Sequence, residues 1–324
     1  MIISRTPLRV SFVGGGSDLP AFYRQHGGAV LSMSITRYLY LSMHKNFESD
    51  RFILKYSKVE TQTRIEDIEH RIIRQVFTDV GIQGVDFNSS ADVPAGTGLG
   101  SSSCFTVGLI NLCNAYRGIY ESRPELARKA CVVEIDKLGE PIGKQDQYGC
   151  ALGGLNFIKF NPDESVDVEA IALTQECRRR LEDNLIMFYL GGTRSASAVL
   201  VEQAKNMASQ SSVVENMKAM VHQAYDLRSA LPGNVDALGP FLHEGWERKK
   251  RMADGISNPL IDHAYSRALS AGATGGKLLG AGASGFLLVY APGGTRAAVC
   301  EALSELPAYP VGIDGIGSAI IYSD

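Results

Sequence analysis

No two cysteines of this chain are spaced as a C-x-x-C pair: Cys104, Cys113, Cys131, Cys150, Cys177 and Cys300 are scattered. No zinc site is implied, and the thiols read as small apolar side chains in a reducing compartment. Long apolar runs are missing too. The opening MIISRTPLRVSFVGGG is broken by Arg5 and Arg9, unlike a secretory leader or a membrane span, so a cytoplasmic protein with no membrane partner is expected. Positive charge is not in excess: 32 Lys+Arg stand against 35 Asp+Glu, a formal net charge of -3 with a pI near 6.1. Without basic stretches interleaved with aromatics, no nucleic-acid partner is expected. Internal repeats and low-complexity tracts are absent as well. What remains is a chain of 324 residues, 45% hydrophobic and 21% charged, long enough for two packed lobes.

Along the chain, PLRVSFV (7–13) reads as a strand that delivers Gly14, Gly15 and Gly16. Further strands are predicted at 29–35, 38–45 and 51–57. Ile68, Ile72, Ile73 and Val76 then recur on one stripe of a helix ending near Gly81. After the strand VDFNSSADV, the loop PAGTGLGSSS precedes Phe105, Leu109, Leu112, Cys113 and Tyr116 at helical spacing, so the loop opens a helix. Helices are predicted at 126–138 and from Gln145, and a strand at 155–160. The polar stretch 161–183 reads as the join between a lobe of 1–180 and one of 181–324. The second lobe starts with the strand LIMFYLGG and several helices over 194–271. It closes with the glycine turn GGKLLGAGASGF, the strand FLLVY, a helix at 295–305 and a last strand at 318–322. This order of elements is α+β and not a doubly wound parallel sheet.

In PAGTGLGSSS, Gly96, Gly98 and Gly100 allow backbone to approach an anion, and Ser101, Ser102 and Ser103 offer hydroxyls and open N–H groups at a helix N-terminus. The same string also suits a flexible turn with a serine N-cap, and the residues alone leave both readings open. There is no G-x-x-x-x-G-K-[ST] string and no dinucleotide fingerprint.

Three segments in order, PLRVSFVGGGSDLP (7–20), PAGTGLGSSS (94–103) and GGKLLGAGASGF (275–286), with GKQDQY between the last two, resemble the motifs of the GHMP kinases. The resemblance implies a two-lobed α+β fold, with an N-terminal ribosomal-protein-like α/β lobe and a C-terminal ferredoxin-like α/β lobe. It implies ATP and Mg²⁺ as cofactors, with Pro94, Gly96, Gly98, Leu99, Gly100, Ser101, Ser102 and Ser103 around the nucleotide phosphates and Ser102 and Glu134 on the metal. Asp146 matches the aspartate facing the substrate hydroxyl, and Arg9 the basic position beside it; Asp146 taken alone would read as a helix cap. Gly15, Gly16, Ser17, Asp18, Lys144, Gln145, Arg194, Gly280 and Gly282 are the expected substrate-side residues. Within the family, VGGGSDLP, GKQDQY, GGTRSAS, WERKK and GGKLLGAG resemble the heptose 7-phosphate kinases, with fucokinase domains as near relatives. That implies phosphorylation of a sugar phosphate at its anomeric C1, in nucleotide-heptose synthesis for capsule or lipopolysaccharide. A kinase of a free sugar such as L-fucose or mannose, and a non-catalytic sugar sensor, are the alternatives. A second phosphate on the substrate asks for a further cation, and Arg5, Lys144, Arg194, Lys249 and Lys250 are available, although Lys249 and Lys250 each read first as part of a solvated helix face.

Overall fold

The structure is a computed structural model that describes residues 1–324 apart from Ser49, residues 193–196, Ala281 and Ala283, and leaves out the side chain of Ser197. Its first sheet runs in the order β12-β1-β2-β5-β3-β4, built from β1 (Ile2–Val13), β2 (Gly28–Lys45), β3 (Phe52–Lys55), β4 (Val59–Gln62), β5 (Val85–Ala91) and β12 (Ala319–Ser323). Beside it, β6 (Leu155–Phe160) pairs with β2 and with β7 (Val166–Ala170). The two strands predicted at 29–35 and 38–45 are one continuous strand. The first half of β2 pairs with β6 and the second half with β5, while β1 runs along the opposite edge. Two register shifts in the β1–β2 ladder, between Pro7 and Arg9 and between Ser11 and Val13, frame the segment that carries Arg9 and Ser11.

Helices cover this sheet: α1 (Pro20–His26), α2 (Arg71–Val80), α3 (Ser101–Tyr116), α4 (Arg123–Cys131) and α5 (Gln145–Leu152). The stripe expected from Ile68 to Val76 is shifted. His70 caps α2 by accepting from Ile73 N, which leaves Ile68 buried ahead of the helix and brings Phe77 inward where Ile72 is only half-buried. α3 is apolar on nearly every side and runs through the lobe's interior. The helix predicted at 126–138 is α4 followed by a π-helical turn, Val132–Lys137, whose wider winding turns Glu134 inward.

The polar stretch 161–183 is more than a join. It contains β7, which completes the first sheet, and α6 (Gln175–Asn184), capped by Thr174. The second sheet has the order β11-β8-β10-β9, from β8 (Leu185–Tyr189), β9 (Gly275–Leu278), β10 (Phe286–Tyr290) and β11 (Ala308–Pro310), all antiparallel. Part of the predicted glycine turn is therefore the strand β9. With this sheet go α7 (Ser197–Ser209), α8 (Ser211–Ala230), α9 (Leu238–Lys250), α10 (Pro259–Ser270) and α11 (Arg296–Ala302). LIMFY and FLLVY are apolar without alternation because both faces of this sheet are covered. Leu185, Met187, Phe286 and Leu288 enter the core that also fills the first lobe. Ile186, Phe188, Leu287 and Val289 enter a second core with Met217, Met220 and Trp246, to which α1 adds Phe22. The last strand leaves the second lobe and pairs with β1, after Gly312 and Asp314 have bonded the backbone at Thr36 and Ser34.

Candidate active site

β1, the loop before α3 and the first turn of α5 converge on one side chain. Arg9 is 4% exposed; its Nε donates to Asp146 Oδ1 at 2.8 Å and its Nη2 lies 2.7 Å from the same oxygen. Its Nη1 donates to Gly98 O at 2.8 Å, and its backbone N–H to Leu99 O at 3.1 Å. One guanidinium thus ties Asp146 to the inner edge of the glycine loop. Burial works against the charge on Arg9, but Asp146 beside it prevails and its pKa is raised. Since both short contacts fall on Oδ1, Oδ2 of Asp146 has no protein donor among the described residues, and Asp146 is the more exposed partner of the pair.

The loop itself is held open by glycine. Gly100, in left-handed conformation, is the N-cap of α3 and brings no capping side chain, so the first N–H groups of a 16-residue helix face the loop without a side-chain partner. Ser101 Oγ accepts from Gly96 N at 3.4 Å, which folds the loop over that end. Pro94 stands exposed at the rim and Leu99 is fully buried beneath it. Gly280 comes so close that a Cβ on it would lie 2.6 Å from Gly98 Cα, and one on Gly98 2.3 Å from Leu279 O. The loop between β9 and β10 is therefore packed directly on the loop before α3. Gly282, in the same segment, abuts Ile256 instead.

At the first turn of α3, Ser102 Oγ donates to Glu134 Oε1 at 3.1 Å, and Gln147 Nε2 donates to Glu134 Oε2 at 2.7 Å. Burial pushes the Glu134 carboxyl above its ordinary value, against the pull of hydroxyl and amide donors from Ser102, Ser103 and Gln147. A hydroxyl and a carboxylate this close are hard oxygen donors of the kind magnesium takes while keeping waters and phosphate oxygens. No group of three or more His, Cys, Asp or Glu side chains suited to a protein-caged metal occurs among the described residues. The donor set fits magnesium held together with phosphates.

On the other side of Asp146, Asp18 is 2% exposed and accepts from Gly16 N at 3.0 Å, Gln145 N at 3.1 Å and Gln145 Nε2 at 3.1 Å. Burial, reinforced by Asp146, raises its pKa against these donors. Asp18 thereby fixes the Gly15–Gly16 turn to the N-terminus of α5, the helix that carries Asp146. Two expected substrate residues are already bonded within the fold. Ser17 is buried, its hydroxyl bonded to both N and O of Ala29. Lys144 donates to Glu164 Oε2 at 2.6 Å and lies over the Tyr23 ring. Arg194 falls outside the described residues. The sequence reading gave Gln147, two positions from Gln145 in GKQDQY, no role of its own, and it took Lys277 as part of the closing glycine motif, whereas its Nζ donates to Ser11 O at 2.8 Å and Phe12 O at 3.3 Å at the end of β1. Tyr56, His70 and Phe105 also cluster beside the first turn of α3, with ring centroids 4.8 Å and 5.0 Å apart.

Comparison with known proteins gives the family. The profile of the GHMP kinases N terminal domain matches residues 68–154, and that of the GHMP kinases C terminal matches residues 217–308. The chain is 28% identical over 307 residues to a D-glycero-alpha-D-manno-heptose 7-phosphate kinase of Campylobacter jejuni, with 89% of each covered. It is 27% identical over 323 residues to a bifunctional fucokinase/GDP-fucose pyrophosphorylase of Arabidopsis thaliana, of which it spans 30%. Among solved structures, it resembles a D-glycero-D-manno-heptose 1-phosphate kinase from Bacteroides thetaiotaomicron with a TM-score of 0.80 at 24% identity, both chains fully covered. A putative sugar kinase from Campylobacter jejuni gives a TM-score of 0.77 at 25% identity, over 99% of this chain and 98% of that one.

Proposed function

We propose that this chain, which belongs to the GHMP kinases and is an ATP-dependent phosphotransferase acting on a sugar, phosphorylates the anomeric C1 hydroxyl of a heptose 7-phosphate. The observation that carries the reading is the Arg9–Asp146 pair bonded to the phosphate-type loop, with one oxygen of Asp146 left to face a substrate hydroxyl. The product, a heptose 1,7-bisphosphate, would feed nucleotide-heptose synthesis for capsule or lipopolysaccharide in the cytoplasm. The heptose phosphate kinase among its relatives supports the substrate class.

Phosphoryl transfer asks for two reactants in line, neutralised phosphate oxygens and a destination for the hydroxyl proton. The N–H groups at the start of α3, with Gly96, Gly98 and Gly100 drawn back, would receive the nucleotide phosphates. Ser102 and Glu134 would hold Mg²⁺, which when bound supplies positive charge to the phosphate oxygens. Arg9 keeps Asp146 in place through Oδ1 and sets its own positive charge beside the loop. Asp146 Oδ2 would orient the C1 hydroxyl and take its proton as the new O–P bond forms and ADP leaves. An anomeric hydroxyl is acidic enough that a carboxylate suffices as acceptor. The rings of Tyr56 and His70 offer a face for the purine.

ADP release with Mg-ATP, measured against D-glycero-D-manno-heptose 7-phosphate, mannose 6-phosphate, mannose, L-fucose, galactose and mevalonate, tests the proposal. The heptose phosphate should lead by at least about tenfold in kcat/KM. A free hexose in first place would discard the 7-phosphate reading, and silence across the panel would favour a sugar sensor.

A further inference from the structure

Of the charged residues in WERKK, only Lys249 is buried. Arg248 pairs with Glu244, and Lys250 pairs with Glu247 and leans on the Trp246 ring. Lys249 is 7% exposed, and its Nζ donates to Gly15 O at 3.1 Å and to Gln203 Oε1 at 2.7 Å, both neutral acceptors. No carboxylate lies within ion-pair distance of it among the described residues. Lys277, which senses its charge, is likewise bonded only to carbonyls, those of Ser11 and Phe12. A buried ammonium with no carboxylate in contact is costly, and here two share one neighbourhood, with Asp18 acting on Lys249 only from beyond ion-pair distance. Each ammonium carries three protons and uses two, so one N–H per lysine is unassigned.

Three more polar atoms around the same turn are buried and unpartnered: Gln203 Nε2, Ser11 Oγ and Gln145 Oε1. All border the Gly15–Gly16 turn. A Cβ on Gly16 would lie 3.1 Å from Lys249 Nζ and 3.3 Å from Gln203 Oε1; one on Gly15 would lie 3.4 Å from Ser11 Oγ and 3.7 Å from Gln145. Glycine at both positions puts no side chain of the turn against these atoms. A cation with a spare N–H beside the unpartnered Gln203 amide N–H and the Ser11 hydroxyl suits an oxyanion, whereas Gln145 Oε1, an acceptor, asks for a hydroxyl of the ligand.

We propose that Lys249, supported by Lys277 and Gln203, is the counter-charge for the phosphate that the sugar substrate already carries, and so sets the preference for a phosphorylated over a free sugar. This rests on the kinase reading above and goes beyond it by assigning the distal phosphate to a residue that the sequence could not separate from Lys250. Burial lowers the pKa of Lys249 to about 8, with Asp18 holding it up in part, and that of Lys277 to about 7, pressed down further by Lys249 and Arg9. A phosphate monoester is close to dianionic above pH 7, so the change in attraction through pH 8 belongs to the enzyme.

The test compares kcat/KM for D-glycero-D-manno-heptose 7-phosphate and for the same heptose without phosphate, in wild type and in Lys249→Gln, which keeps a donor and removes the charge. The variant should lose about 30-fold or more on the phosphorylated sugar, mainly through KM, and the preference over the free sugar should fall to near one. Equal losses on both sugars would show that Lys249 only braces the glycine turn, and would overturn the proposal. If the variant does not fold, wild type decides: the ratio of kcat/KM for phosphorylated over free sugar should drop as pH rises from 7 to 9, and a flat ratio overturns the proposal. Failure of the heptose kinase reading is separable. Should the phosphorylated heptose not be turned over, mannose 6-phosphate must still raise the melting temperature of wild type more than mannose does, and an equal effect of the two would sink the role of Lys249.

Discussion

The two oxygens of Asp146 are unlike: Oδ1 is gripped by Arg9, and Oδ2 faces no protein donor among the described residues. Asp146→Asn keeps the volume and an oxygen for Arg9 while removing the proton acceptor. Its kcat should fall about 10²–10⁴-fold with ATP affinity, measured by calorimetry, within a few-fold of wild type. A kcat within tenfold of wild type would reassign Asp146 to positioning. At this scale the sequence was most legible where a residue sits in a dense motif. Arg9, Ser102, Glu134 and Asp146 were all named from it, and they pair in space, Arg9 with Asp146 and Ser102 with Glu134. Lys249 and Lys250 could not be told apart, because one step along a helix rotates a side chain by about 100° and only tertiary packing says which of two neighbours turns inward. Ser17 poses a related difficulty: nothing in GGGSD reveals that its hydroxyl bonds Ala29.

Among the elements, two loops meet at backbone distance. A methyl group on Gly280 would lie 2.6 Å from Gly98 Cα at a φ of +85°. Gly280→Ala should therefore cost about 1–3 kcal/mol in chemical denaturation and raise KM for ATP about tenfold by prising the two loops apart. Gly118→Ala is the control. It has a φ of +70° with nothing within 4 Å, so it should lose about 1 kcal/mol without a change in KM. Equal KM values for the two variants would remove the β9–β10 loop from the nucleotide site. Most element types were legible from periodicity, yet their limits were not. β2 reads as two strands because its two halves serve different partners, and α4 passes into a π-helical turn that no spacing of apolar residues announces. The stretch 161–183 looked like a join because β7 is a largely exposed edge strand and α6 buries only Leu181, which leaves both with polar sequences.

For the whole molecule, neither hydrophobic core belongs to one lobe. Leu279 and Tyr290 lie in the core that fills the first sheet, and Phe22 in the one that surrounds Trp246. Unfolding in denaturant should consequently be a single transition. Fluorescence of Trp246, the sole tryptophan and deep in the second core, should coincide with far-UV circular dichroism within error. Two separated midpoints would show that the lobes are independent. The packing of Gly280 on Gly98 has a further consequence during synthesis, since more than half of the chain separates the two residues. A nascent chain that has made its first lobe still lacks the backbone against which the phosphate loop closes. The half-made protein therefore lacks this closure and, on the proposed function, the ability to hold ATP arrives only once the segment between β9 and β10 has been made, shortly before the strand β12 that pairs with β1.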